Sequence, residues 1–359
     1  MTLSAALGQF LTFRLPFRKP VCSKMATSFK ATAQASPSLQ TDASKSSSFK
    51  SNTWPWVFDN ISVKIYYEQR GNSVSPSKRI LMLPTISSVS TVEEWREVAE
   101  ELVEKDHLSG YNITILDWPG MGFSDRPKLE YNADLMESFL SDFISSENSP
   151  LTPKDAGLVV FGAGHATTIL LHAVKKGLLK PTAVAAVAPT WAGPFPIIWG
   201  RDPTMESRYG LFMGLVRAPY VGWAMYKALV SNMGAVEKQF KAHVYADEKL
   251  VSRALVEGRY GLTQREGARY APAAFLTGLM DPVKTREEFL GLYANVEGEV
   301  RVLVLSSAGS PKRSKAEMEA LKGAKGVYNY VVVPGALLPQ QEYPQLVAKE
   351  LYTFLLEVS

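Results

Sequence analysis

The chain predicts an α/β fold in which a mostly parallel central sheet is flanked by helices and carries an inserted helical cap. Three observations predict it. Short apolar runs alternate with stretches of helical period, a strand-free and aromatic-rich segment interrupts them over 191–276, and the alternation then resumes to the C-terminus.

The elements follow in order. Segment 63–67 (VKIYY) alternates in polarity and 79–83 (RILML) is almost continuously apolar, so the second reads as a strand buried on both faces. Residues 91–104 (TVEEWREVAEELVE) repeat apolar side chains at helical spacing behind a Ser/Thr-rich opening suited to N-capping. A strand over 112–118 (NITILDW) leads into a loop at 119–127 dense in Gly and Pro. Helix is predicted over 133–145, strand over 156–161, helix over 167–176 and strand over 182–188. In the cap, Phe195, Trp199, Phe212, Trp223, Tyr226 and Phe240 lie on amphipathic helical stretches. Beyond it, 300–305 and 328–333 read as strands and 315–322 and 344–357 as helices, with Asp281 assigned to capping a helix over 285–292. The sheet-bearing core is therefore 51–190 and 277–359, and the cap is 191–276.

Composition supports a sizeable buried core, with 46% apolar and 21% charged residues. The formal charge of +4 is uneven: residues 1–50 carry seven Lys or Arg against the single acid Asp42, leaving 32 basic and 34 acidic residues in 51–359. A near-neutral folded part gives no case for nucleic-acid binding. The first 50 residues are rich in Ser, Thr, Ala and Lys, which is the composition of an organelle transit peptide, with scarce arginine favouring a chloroplast; an unaddressed tail is the alternative. Cys22, the only cysteine, lies in this leader, so its removal leaves no thiol for a disulfide, a metal site or a nucleophile. No apolar run reaches the length of a membrane span, which leaves a soluble or peripherally attached protein. Neither a cofactor nor a metal is assigned.

Taken together, these residues resemble the α/β-hydrolase superfamily over essentially all of 55–359. The loop Asp117-Trp118-Pro119-Gly120-Met121-Gly122-Phe123-Ser124-Asp125-Arg126-Pro127 is similar to the family's segment D-x-P-G-x-G-x-S-x-x-P, and it is a specific match. Gly162-Ala163-Gly164-His165-Ala166 stands where the family places its nucleophile elbow, between a buried strand and a helix. Pro334-Gly335-Ala336-Leu337-Leu338-Pro339, followed by Glu342 and Pro344, resembles the catalytic-histidine loop.

The resemblance implies a reactive site whose positions are filled unusually. Gly164 stands at the nucleophile position, Ser310 at the carboxylate position and Leu337 at the histidine position, and no histidine follows residue 243. Where hydrolases commonly carry His-Gly, this chain has Pro84-Thr85, followed by Ile86-Ser87-Ser88-Val89-Ser90, whose backbone N–H groups remain available to line a pocket. Candidate pocket residues are Pro84, Thr85, Ile86, Ser87, Gly164, His165, Trp191 and Leu337. His165 reads as a partly buried histidine bonded to a loop carbonyl, His172 as facing a neighbouring helix, Asp125 and Arg126 as a structural ion pair or cap, and Ser87, Ser88 and Ser90 as a helix N-terminal loop without an evident base.

Two functional classes follow. The first is a non-catalytic protein of the chloroplast, stromal or thylakoid-associated, that binds a lipophilic small molecule or a plastid protein beneath or through its aromatic cap. The alternative is an active serine-type esterase or lipase-like enzyme with a rearranged site, acting on a lipid or tetrapyrrole ester. A scaffold in a plastid assembly is a third possibility, and basic cap residues (Arg201, Arg208, Arg217, Lys227, Lys238, Lys241) are candidates for contact with anionic lipid.

Overall fold

The computed structural model describes residues 49–358 apart from 72–77, 106–109, 152, 153, 155 and 202. Cys22, His107 and nearly all of the stretch read as a leader lie outside the described residues. The strands β1 (Lys50–Phe58), β2 (Ile61–Arg70), β3 (Lys78–Leu83), β4 (Tyr111–Leu116), β5 (Gly157–Ala163), β6 (Ala183–Val187), β7 (Arg301–Ser307) and β8 (Asn329–Val333) form one sheet in the order β1-β2-β4-β3-β5-β6-β7-β8. β1 and β2 pair antiparallel, as do β2 and β4, and every other neighbouring pair is parallel.

Strands β3 to β7 are largely apolar because both faces are covered. Leu81, Leu83, Val160, Val184, Ala186, Val302 and Val304 point into one core, while Ile80, Met82, Val159, Phe161, Ala185, Leu303 and Leu305 point into the other. Helix α1 (Arg96–Val103) joins the second layer through Val98 and Leu102. Helices α2 (Ala133–Ser145) and α3 (His165–Lys175) cover the first layer through Phe139, Phe143 and Ile169.

The cap comprises α4 (Pro194–Trp199), α5 (Pro203–Arg217), α6 (Pro219–Leu229), α7 (Met233–Gln239), a π turn (Phe240–Val244), α8 (Arg253–Thr263) and α9 (Tyr270–Leu276). It lies between β6 and β7, as the change in texture predicts. The chain then returns to the sheet with α10 (Arg286–Asn295), α11 (Lys312–Glu319), the short α12 (Pro339–Glu342) and α13 (Pro344–Glu357). Among the described residues no helix is long and apolar enough to cross a membrane.

Strand β1 is absent from the sequence reading, which begins the sheet at 63. Its exposed positions are mostly polar, apart from Val57, and Pro55 lies within it, which an edge strand tolerates. Only Trp54 and Trp56 turn inward, edge-on to Phe143 and Phe139 with ring centroids 5.2 Å apart. The Trp56 indole N–H donates to Asp142 Oδ2 at 2.8 Å, so an aromatic pair rather than an alternating run anchors the strand.

The Gly/Pro-rich loop after β4 is organised by Asp117, which is fully buried. Its carboxylate accepts the Val92 N–H at 2.7 Å and the Phe123 N–H at 2.6 Å, with the Thr91 hydroxyl at 3.4 Å. The N-capping expected of the Ser/Thr-rich opening is therefore corrected: Thr91 makes no side-chain cap, a 3₁₀ turn (Val92–Glu94) precedes α1, and Asp117 satisfies its first N–H. Gly122, at φ +51°, lies so close to this carboxylate that a Cβ would fall 2.1 Å from Asp117 Oδ2. The ion-pair alternative for Asp125 and Arg126 is also corrected, since they do not pair with each other. Asp125 accepts the Lys64 N–H at 2.9 Å, and the Arg126 guanidinium donates to the Gly122 carbonyl.

Burial raises the Asp117 carboxyl from 3.8 to about 7, against the two backbone N–H bonds that favour its charged form. The folded protein thus holds a proton that the unfolded chain releases between pH 3.8 and about 7, and the contribution of this group to stability falls as pH rises through that window. Urea melts across it should show the native protein losing stability relative to Asp117→Asn as pH increases. The pH slope is the readout, because a uniform cost of the substitution leaves it unchanged.

Candidate functional site

The site is assembled at the carboxyl ends of the parallel strands, where open α/β sheets place their ligands. Strand β5 ends at Ala163 and α3 begins at His165, so one residue makes the turn between them. That residue, Gly164, adopts φ +55° and ψ −127° and donates its N–H to the Val187 carbonyl at 2.8 Å. A Cβ built there would meet the Thr85 methyl at 3.2 Å and Thr190 Oγ1 at 3.8 Å. The turn keeps the strained conformation of a nucleophile elbow, and glycine occupies it without the cost a side chain would bring.

The two loops that should complete the site do meet. The Gly309 N–H donates to the Gly335 carbonyl at 2.8 Å, and the Ser310 hydroxyl donates to the Ala336 carbonyl at 3.1 Å while lying 2.5 Å from Ser307 Oγ. Ser310 and Leu337 therefore come from touching loops, but neither brings a group that titrates near neutral pH. Leu337 donates its N–H to the Val244 carbonyl of the cap at 3.0 Å, and its neighbour Leu338 is buried among Val89, Val236, Phe240, Val244, Tyr245 and Val256.

Four residues that sequence reasoning left unassigned fill the space around these positions. Glu94, 1% exposed, accepts the Thr85 N–H at 2.8 Å and the Thr85 hydroxyl at 2.9 Å. Thr85 Oγ1 lies 2.7 Å from Ser90 Oγ, which lies 2.9 Å from Ser87 Oγ, so a line of hydroxyls runs from the buried carboxyl to half-buried Ser87. Burial pushes the Glu94 carboxyl up, opposed by Arg259 and the Thr85 bonds. Arg259, fully buried on α8, donates to the Val89 carbonyl at 3.0 Å and to Gln341 Oε1 at 3.2 Å, joining the cap to loops on both sides of the site. Gln340 is buried beside Glu94, with its amide N–H 3.5 Å from Glu94 Oε2. Glu342 accepts the N–H groups of Ala246 and Asp247 in the cap at 2.8 Å each, and that of Ala336 at 3.0 Å.

The remaining candidates separate. Pro84 and Ile86 are buried, with the Pro84 carbonyl accepting the Trp118 indole N–H at 2.9 Å. The Thr85 N–H, expected to line a pocket, is taken by Glu94. His165 is 1% exposed, deeper than the partly buried histidine predicted, although its bond to a loop carbonyl is found: Nε2 lies 3.0 Å from the Met280 oxygen and 3.3 Å from Asp281 Oδ1. Its Nδ1 has no partner among the described residues. Trp191 stacks on Phe289 and donates to Glu317 Oε2 at 3.0 Å. His172 faces α2 as expected, 2.6 Å from Glu137 Oε1.

Asp281 does not cap a helix. Thr285 caps α10, its hydroxyl accepting the Glu288 N–H at 3.1 Å. Asp281 instead accepts the Gly193 N–H at 2.9 and 3.0 Å and pairs with Arg201, so it ties the start of the cap to His165 at the elbow. Burial pushes its carboxyl up, and His165, Arg201 and the Gly193 N–H pull the other way. The helix-capping assignment failed because the residue four places on satisfies that helix.

Surface cavities of about 380 and 570 Å³ lie elsewhere, the first on the cap beside Glu237, Lys241 and Glu248, the second at the opposite end of the sheet beside Thr182, Arg301 and Tyr328. No cluster of three or more His, Cys, Asp or Glu side chains suited to a metal ion occurs among the described residues.

The profile of the Alpha/beta hydrolase family matches residues 83–350. A search of curated proteins gives no match. Among solved structures, the chain is similar to a thermophilic esterase from Thermogutta terrifontis, with TM-score 0.60 and 14% identity over 86% of this chain and 99% of that one. It is also similar to a haloalkane dehalogenase from Agrobacterium tumefaciens, with TM-score 0.60 and 13% identity over 86% and 97%. A bromoperoxidase from Bacillus anthracis gives 0.59 and 13% over 85% and 99%. At these identities the likeness is one of fold.

Replacing Glu342 by Ala strips three backbone N–H groups of their acceptor and should cost about 3 kcal/mol. Denaturant unfolding should register that loss, and hydrogen exchange should show Ala246 and Asp247 among the amides losing protection.

Proposed function

Because the chain belongs to the alpha/beta hydrolase family, we propose that it is a non-catalytic member, acting in the plastid by binding a lipophilic small molecule or a protein partner. The observation that carries this reading is the turn at Gly164, which keeps the elbow backbone while presenting no side chain. Acyl transfer needs a nucleophile, a base within hydrogen-bond reach and a positioned acid. Here the corresponding positions hold glycine, leucine and serine. The contacts of Glu94, Arg259 and Glu342 further support the non-catalytic reading, since they hold the cap against the loops that would have to admit and release a substrate at every turnover. Delivery to a chloroplast rests on the Ser-rich, acid-poor first 50 residues.

One observation favours a second reading. The hydroxyl line Ser87–Ser90–Thr85 ends on the Glu94 carboxyl, which supplies the proton acceptor missing from the Ser87 loop. On that reading the protein is an esterase with a displaced nucleophile.

The two separate cleanly. Purified protein should neither turn over p-nitrophenyl esters nor react with a fluorophosphonate probe. Gly164→Ser alone should stay unlabelled, because no imidazole faces it, and should lose about 1–3 kcal/mol of stability to the positive φ and the Thr85 contact. Labelling of the native protein at Ser87, abolished by Ser87→Ala and by Glu94→Gln, would overturn the non-catalytic reading.

A further inference from the structure

The hairpin of α5 and α6 turns one apolar face into the protein and a second one outward. On α5, Phe212 packs edge-on against Phe195 at 5.0 Å and Tyr209 and Val216 are buried, whereas Leu211 is 69% and Leu215 43% exposed. On α6, Gly222 and Tyr226 are buried, whereas Tyr220 is 89%, Val221 51% and Trp223 55% exposed. Ala218 alone joins the two helices, so these side chains occupy consecutive turns on either side of one bend. A helix that is apolar on both faces requires a neighbour on both.

Charge identifies that neighbour. Over the hairpin, 203–229, Glu206 in the first turn of α5 is the one acid, against Arg208, Arg217 and Lys227. Arg217 pairs with Glu130, whereas Lys227 is exposed and its Nζ sits 4.4 Å from the centre of the exposed Trp223 ring. Exposed Leu and Val beside a Tyr and a Trp, with Lys227 among them and no acid in the hairpin after Glu206, is the arrangement that seats in the boundary between headgroups and acyl chains of an anionic bilayer. We propose that the α5–α6 hairpin docks the protein peripherally on an anionic lipid surface. This inference stands on the cap alone and holds whether or not the site turns over an ester.

The test is flotation of the full chain with phosphatidylcholine vesicles, with and without phosphatidylglycerol. The protein should float with the anionic vesicles only, less so at high salt. Trp223→Glu and Leu211→Glu should abolish flotation, and Lys227→Ala should weaken it about fivefold. Leu346→Glu, on the outer side of α13, is the control and should float as the native protein does; circular dichroism and melting establish that each variant folds. No flotation with either vesicle, or flotation unaffected by Trp223→Glu in a folded protein, would overturn the proposal. So would a dimer in sedimentation that Trp223→Glu dissociates while vesicles bind nothing, since the face then belongs to a second copy.

Discussion

At the carboxyl ends of a parallel sheet the chain leaves each strand through loops whose backbone N–H groups no neighbouring strand can satisfy, and in this protein buried carboxylates satisfy them. Asp117 takes the N–H groups of Val92 and Phe123, Glu94 that of Thr85, Asp281 that of Gly193, and Glu342 those of Ala336, Ala246 and Asp247. An unpaired buried N–H is costly, and a carboxylate with two oxygens can hold two or more segments at once. Each of these side chains therefore joins pieces of chain that are distant in sequence, and the loops around Gly164 owe their positions to them.

The same contacts account for the state of the site. Glu94 holds Thr85 with its methyl over Gly164, so the space a nucleophile would occupy borders a packed side chain. Arg259 and Glu342 reach from opposite directions across the boundary between cap and core, and the apolar cluster of Val89, Phe240, Tyr245 and Leu338 lies along the same boundary. Buried charges that each satisfy several backbone groups are expensive to separate, which makes the closed cap a stable arrangement. Surface chemistry then passes to the outside of the cap, where the α5–α6 hairpin carries the apolar side chains that the core does not absorb.

Much of this architecture was legible from residue patterns. Strands β3 to β7 announce themselves as largely apolar runs because both faces are covered, the edge strand β8 shows as the run Val331–Val333, and the cap is visible as a change of texture at Trp191. Helices α2 and α13 begin where Asn132 and Pro344 set them. Strand β1 was not legible, since its hold on the sheet comes from two tryptophans packing on α2 rather than from alternation. Glu94, Arg259 and Asp281 were not legible either. On a helix or a loop, charged residues read as solvated, and only the approach of remote backbone makes them interior groups.

The sequence by itself determined that position 164 carries no nucleophile and that no histidine lies beyond residue 243, because chemistry absent from the side chains cannot be restored by folding. It also determined the α/β alternation, since hydrophobic period dictates which face of each element seeks cover. The tertiary structure alone decided which carboxylates are buried, that the hydroxyls of Ser87, Ser90 and Thr85 line up on Glu94, and that Asp281 binds the cap entry rather than a helix end. Those outcomes depend on distances between segments far apart in the chain, which no local pattern encodes.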